Sequence, residues 1–303
     1  MSLIPVTTTG LWTDNIKDIH GNAGRAWLKK LPATIAECAE KWSLIILPPF
    51  EELSYNYVTP AVTANGTPVV IKAGVPHTEF TSEVEALTAF TGKGISQLLE
   101  ADTNMGVMLI ERLQPGAFLS DLKDDEDITR NAVSVMQKLH TTAPAEHSFT
   151  RVSNWADRAL GEIKTDLLPR HLIDVARSLF TELLGSQDEK TLIHGDFHPQ
   201  NILSSKREAW LAIDPKGVVG DPLYDVAVFI CQPPRQPTEL DQKQFLARRI
   251  DQIAGQLGVD RQLITQWCLA HSVLSGCWSA ESHGERWKPA FARAGILESL
   301  LKG

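Results

Sequence analysis

The residues with the most chemistry to offer lie in one stretch, His194-Gly195-Asp196-Phe197-His198-Pro199-Gln200-Asn201, followed by Ile213-Asp214-Pro215. Asp196 and Asn201 flank a short loop between two apolar, strand-like pieces, and Asp214 ends the next apolar strand. A hairpin-like path brings these three side chains to one mouth. One carboxylate and one amide oxygen suit a hard divalent cation such as Mg2+ carried by phosphates. The remaining carboxylate can accept a proton from a substrate hydroxyl. Such a set, with a lysine for nucleotide phosphates, is what phosphoryl transfer needs. The structural alternative is a loop in which Asp and Asn only stabilise turns. Val69-Val70-Ile71-Lys72 supplies the ammonium, at the end of an apolar strand. The helix that follows offers Glu79, Glu83 and Glu85 to fix it, and Glu83 is the favoured partner.

Elements must position these groups. Apolar residues at helical spacing predict helices over Ala23–Leu31 and Ile35–Trp42, broken at Leu31-Pro32. Strands are expected at Leu44–Leu47, Tyr55–Val58 and Thr67–Lys72, the last two joined through Asn65-Gly66, a hairpin signal. Glu79–Phe90 reads as a helix stopped by Gly92 and Gly94, and Gly106–Ile110 as a strand before the break at Gln114-Pro115-Gly116. Ile128–His140 is an amphipathic helix with Ala132, Val135, Met136 and Leu139 on one face, and Leu167–Leu184 is helical too. Short strands follow at Thr191–His194, Ile202-Leu203 and Trp210–Ile213, and Leu240–Leu301 is mostly helical. The expected class is α+β: a strand-containing lobe over residues 1–110, a hinge at 111–116, and a helical lobe over 117–303. A cleft between lobes is a natural small-molecule site.

Composition narrows the function. The chain has 303 residues, 43% hydrophobic and 22% charged, which excludes disordered and fibrous classes. No apolar run reaches the length of a membrane span, and Met1–Pro5 carries no basic segment leading an apolar stretch. The four cysteines show no CxxC pair, so reduced thiols in a cytoplasmic protein are expected. A net charge of −8 argues against nucleic acid or an anionic membrane as partner.

His194–Asn201 with Ile213-Asp214 resembles the catalytic and metal-binding loops of the aminoglycoside phosphotransferases, a branch of the bilobal protein-kinase-like fold. The subgroup of streptomycin 6-kinases and hydroxyurea kinases is closer still. Supporting stretches are Leu53–Val58, Gly66–Lys72, Leu109–Gly116 and Gly217-Val218-Val219-Gly220-Asp221-Pro222-Leu223-Tyr224-Asp225, and Trp27-Leu28, Leu31-Pro32 and Trp42 fit the same subgroup. The resemblance implies ATP and Mg2+ as cofactors. It makes Asp196 the catalytic base or hydroxyl-orienting residue, Asn201 and Asp214 the Mg2+ ligands, and Lys72 the contact to the α- and β-phosphates, paired with Glu83. Tyr55 and Asn56, within Ser54–Thr59, would cover the phosphates, and Glu111, Arg112 and Leu113 would meet the adenine edge. The chain departs from protein kinases: Gly195 stands where an arginine is usual, Pro215-Lys216 replaces Phe-Gly, and no glycine-rich loop precedes Lys72.

The acceptor side is read less sharply. His194 supports the loop, and His198 is a loop residue and a candidate substrate contact. Asp225 is a natural helix cap, while Asp221 is a candidate for substrate amines. Lys216 is either a charge near the transferred group or a solvated turn residue. Trp267, His271, Leu274 and Trp278 share one helical face, either as a core stripe or as an acceptor wall, with Glu281 or Glu285 as charge partner. The expected activity is phosphoryl transfer to a hydroxyl of a streptomycin-like compound or hydroxyurea, by a monomer or homodimer. The rivals are a choline, sugar or thio-sugar kinase of the same fold, and a nucleotide-binding pseudo-enzyme.

Overall fold

A computed structural model gives the fold. It describes every residue except 1–9, 52, 162–166, 186–189, 233–238, 284–286 and 303. The described residues form two compact units, one up to Gly92 plus Ser96–Gln114, the other Lys93–Ile95 plus the chain from Pro115 onward.

The first unit starts with α1 (Leu11–Lys41), which runs through Pro32 without a break and leaves helical backbone angles only at Gly21 (φ 55°, ψ −124°). The break expected at Leu31-Pro32 is therefore absent. An interior proline costs about 3 kcal/mol. Trp27, Leu28, Leu31, Ile35 and Cys38 lie on both sides of it and share one core with Ile71 and Leu109 of the sheet. Each such side chain contributes about 1.5–3 kcal/mol when buried, so the continuous stripe outweighs the proline. β1 (Leu44–Ile46), β2 (Tyr57–Thr63), β3 (Pro68–Ala73), α2 (Thr78–Phe90), β4 (Leu98–Asp102) and β5 (Val107–Glu111) follow. The strands form one sheet in the order β1-β2-β3-β5-β4, antiparallel throughout. β4 has no counterpart in the sequence reading. Leu-Leu-Glu-Ala-Asp lacks β-branched residues, and as an edge strand β4 buries none of its residues.

The second unit holds β6 (Pro115–Phe118), α3 (Asp125–Leu139), β7 (Thr141–Thr142), β8 (Thr150–Arg151), α4 (Val152–Gly161), α5 (Arg170–Gly185), β9 (Thr191–Ile193), β10 (Ile202–Ser205), β11 (Trp210–Ala212), β12 (Val218–Val219), α6 (Leu223–Cys231), α7 (Glu239–Leu257), α8 (Arg261–His283) and α9 (Lys288–Lys302). Its strands pair in two small sheets, β11-β10-β6 and β7-β9-β12-β8. α8 packs against α4, α5, α6, α7 and α9 and forms the centre of the helical core. Lys93–Ile95 joins this unit through the bond from Ala212 N–H to Gly94 C=O (2.9 Å). Gly94 (φ 67°) leaves no room for a side chain, because a Cβ would come within 2.9 Å of the Leu139 nitrogen.

A buried ion cluster ties α3 to α7. Arg249 is fully buried; its Nε donates to Asp125 Oδ2 (2.9 Å), its Nη1 to Phe229 C=O (2.9 Å), and its guanidinium lies 4.6 Å from the ring centroids of Phe229 and Phe245. Burial pushes the Asp125 carboxyl up, but Arg249 and Arg248 outweigh it and hold the group below the usual carboxylate range. Its stabilising effect is thus present above that range and lost as pH falls through the depressed value. Asp125→Ala strands the Arg249 charge in the core and is expected to cost about 3–5 kcal/mol, read from urea unfolding at neutral pH. A loss below about 1 kcal/mol would show that water already reaches this cluster.

Candidate active site

The loop after β9 is bonded at almost every residue. His194 is buried; its Nε2–H donates to Ile213 C=O (2.7 Å) and its Nδ1 accepts from Asp196 N–H (3.2 Å). Those two bonds require the neutral Nε2–H tautomer, and burial lowers the pKa of this imidazole, in keeping with it. Asn201, on a 3-10 turn over Pro199–Asn201, donates from Nδ2 to Asp196 C=O (3.0 Å). Ile213 N–H donates to Asn201 C=O and Lys216 N–H to His194 C=O (2.9 and 2.8 Å), which binds the Asp214 segment to the loop.

The anchor of the loop is Asp225. It is fully buried, and its carboxylate accepts from His194 N–H and Gly195 N–H (each 2.8 Å) and pairs with His140 Nε2 (2.9 Å). Asp225 was expected to cap its own helix, and Asp221 to meet substrate. Asp225 does not cap its helix, because its carboxylate is spent on the loop; Asp221 is buried instead, and its Oδ1 accepts from Leu223 N–H (2.8 Å) at the start of α6. Gly195 has φ 81°, and a Cβ there would come within 2.8 Å of Val218 Cγ1 and 3.1 Å of the Trp155 ring. The close packing accounts for glycine at this position.

The Asp196 side chain remains about one-third exposed, with His198 Nε2 3.8 Å from Oδ2. Burial lowers the His198 pKa. The donor set fits a Mg2+ ion. Asn201 spends its amide N–H on Asp196, which leaves its carbonyl oxygen available, and Asp214 offers a half-buried carboxylate on a left-handed residue (φ 58°). Two oxygen ligands are enough for an ion that completes its shell with phosphates and water.

In the first unit, Lys72 and Glu83 are both buried, with Lys72 Nζ 2.6 and 2.8 Å from the two carboxylate oxygens. Lys72 sits mid-sheet, opposite Val58 on β2 and Met108 on β5. Tyr55 is exposed, whereas Asn56 Oδ1 packs against Gly74. Glu111 bonds back to Gln97 through both its N–H (2.8 Å) and its Oε2 (3.2 Å); Arg112 is half-buried and Leu113 buried.

The stripe on α8 divides. Trp267 is fully buried, edge-on to Phe180 and Tyr224, and His271 is buried edge-on to Tyr224, so neither forms an exposed wall. The reason is that α8 is covered by neighbours on several sides. Burial, then Arg293, pushes the His271 pKa down to about 3. Trp278 is half-buried, edge-on to Trp155 (5.6 Å between centroids), and Glu281 is exposed. Glu285 lies outside the described residues. Sequence reasoning missed Trp155, which no periodicity marks, and Gln232, whose Nε2 lies 3.4 Å from Asp196 Oδ1.

Comparison with known proteins agrees with this geometry. The choline kinase LicA from Streptococcus pneumoniae superposes with a TM-score of 0.62 at 17% identity, over 89% of this chain and 99% of its own. The aminoglycoside phosphotransferase APH(4)-Ia gives 0.56 at 15% identity, over 89% and 98%. The fold is that of the kinase-like phosphotransferases. Residues 51–283 match the family described as aminoglycoside/hydroxyurea antibiotic resistance kinase. A streptomycin 6-kinase of Streptomyces griseus is 30% identical over 93% of each chain. A hydroxyurea phosphotransferase of Kitasatospora aureofaciens is 31% identical over 86% of this chain and 76% of its own. The chain belongs to the aminoglycoside/hydroxyurea antibiotic resistance kinase family. It is an enzyme that moves a phosphoryl group from a nucleotide to a hydroxyl of a small molecule. Among the described residues, no helix is long and apolar enough to cross a membrane.

Asp225→Ala removes the acceptor of two buried loop N–H groups. It is expected to destabilise the protein by about 1–3 kcal/mol for each and to lower turnover as Asp196 shifts. Urea unfolding and steady-state kinetics on the same preparation check this, and an unchanged midpoint would contradict the anchoring role.

Proposed function

We propose that this kinase phosphorylates a hydroxyl of a streptomycin-like aminoglycoside or of hydroxyurea, with ATP as donor and Mg2+ as cofactor. The observation that carries the reading is the loop His194–Asn201: its main chain is fixed by Asp225, His194 and Asn201, while the Asp196 carboxylate stays about one-third exposed. The acceptor hydroxyl is held at Asp196. Its oxygen forms a bond to the γ-phosphorus as the bond from that phosphorus to the β,γ-bridging oxygen breaks. The proton passes to the Asp196 carboxylate, and ADP leaves. Lys72, held by Glu83, takes the α- and β-phosphates. Tyr55 and Asn56 cover them, and Glu111, Arg112 and Leu113, in a hinge over 111–116, meet the adenine edge. Asn201 and Asp214 would hold Mg2+, which when bound would supply positive charge to neutralise the phosphates. His198, Trp278 and Glu281 face the acceptor. The main contributions are positioning and charge neutralisation. The reduced, buried state of all four cysteines suits a cytoplasmic enzyme.

The test incubates the protein with ATP, Mg2+ and either streptomycin or hydroxyurea and follows ADP. Asp196→Ala is expected to lower kcat by about 10²–10⁴ with an unchanged circular dichroism spectrum. A fully active Asp196→Ala protein would sink the assignment.

A further inference from the structure

We propose that Gln232 is the positioning residue of the catalytic carboxylate, holding Asp196 in the rotamer that receives the acceptor hydroxyl. The inference rests on the role proposed for Asp196 and adds what fixes it. The main chain of Asp196 is bonded on both sides, its N–H by His194 Nδ1 and its C=O by Asn201 Nδ2. That leaves the side-chain torsions as the remaining freedom. Gln232 Nε2 lies 3.4 Å from Asp196 Oδ1, whereas His198 Nε2 is 3.8 Å from Oδ2, outside hydrogen-bond reach. Among the described residues, Gln232 is the one side chain hydrogen-bonded to this carboxylate.

Its place in the fold suits the task. Every residue of α6 from Leu223 to Cys231 is buried, and Gln232 is the exposed residue that caps its C-terminal end, with its own N–H bonded to Val228 C=O (3.0 Å). Seven residues earlier on the same helix, Asp225 holds the amides of His194 and Gly195. A separation of seven returns to the same helical face about two turns on. One rigid, buried helix therefore grips the catalytic loop twice, by its main chain through Asp225 and by its working side chain through Gln232.

The chemistry favours an amide. An N–H donated to Oδ1 leaves Oδ2 to accept the acceptor's proton. A lysine at this position would compete for the same lone pairs as a charged partner, and a glutamate would repel the carboxylate. Being neutral, the amide orients the base without changing its charge.

Three proteins decide the matter: wild type, Gln232→Leu (apolar, no donor) and Gln232→Glu (same shape, like charge). Each is assayed with streptomycin and with hydroxyurea. Acceptor-independent ATP hydrolysis, in which water replaces the hydroxyl, and thermal melting are measured in parallel. Gln232→Leu is expected to lower kcat about 10- to 100-fold, and Gln232→Glu to lower it further. The KM for ATP should stay within about twofold and the melting temperature unchanged. Wild-type kcat in Gln232→Leu overturns the proposal. So do equal losses in both variants accompanied by lower melting temperatures, the pattern of a helix cap alone. If wild type phosphorylates neither acceptor, the acceptor assignment falls. Gln232 is then judged on ATP hydrolysis, where the same order of rates supports it and equal rates refute it.

Discussion

A fully buried carboxylate that must find donors organises the second unit. Asp225 has no water to solvate it, and a buried charge is tolerated only when hydrogen-bonded or paired. It draws the N–H groups of His194 and Gly195 and the imidazole of His140, from loop residues after β9 and the end of α3. Moving the loop away would leave that charge short of donors, so the loop is held where α6 puts it. Gly195 completes the constraint. Its positive φ turns the chain, and the missing side chain lets Val218 and Trp155 close against it.

The two clusters of chemistry are built in opposite ways. Lys72 and Glu83 are paired deep inside the first unit, where a bidentate contact between buried groups leaves the ammonium little freedom. Asp196 is held by its main chain and left partly exposed. This division suits the two tasks proposed for them. A fixed point charge for phosphate oxygens benefits from rigidity and desolvation. A carboxylate that takes a proton must remain reachable by the acceptor.

The pattern that marks the candidate site was legible where the chemistry is local in sequence. His194–Asn201 and Asp214 stand within one hairpin-like stretch, and Lys72 ends an apolar strand just ahead of the helix that carries Glu83. The β2–β3 hairpin of the first unit was legible for the same reason, because Asn65-Gly66 announces it, whereas edge strand β4 was not. What sequence could not show depends on distant neighbours. Asp225 looked like a helix cap because capping is the local use of an aspartate there. Its bonds reach back about thirty residues to the loop, and no periodicity marks them. Pro32 looked like a stop because its local cost is real, and only the buried stripe on both sides overrides it. Trp267 and His271 share a helical face, but α8 is enclosed by neighbours, so that face says nothing about a ligand.

This difference explains why the reaction was easier to read than the acceptor. Groups that handle phosphate and proton must be particular residue types at short spacing, so they leave a pattern. Groups that select an acceptor need only shape and surface, the part proposed here for Trp278 and the Trp155 it meets across α4 and α8. A tryptophan in either helix is equally at home in a core. The surrounding helices must therefore be packed before such a residue can be sorted into core or wall. In this protein the sorting follows exposure: the indole of Trp267 is sealed, while those of Trp155 and Trp278 keep part of their surface open, and Trp155 lies against Gly195, next to Asp196 in sequence.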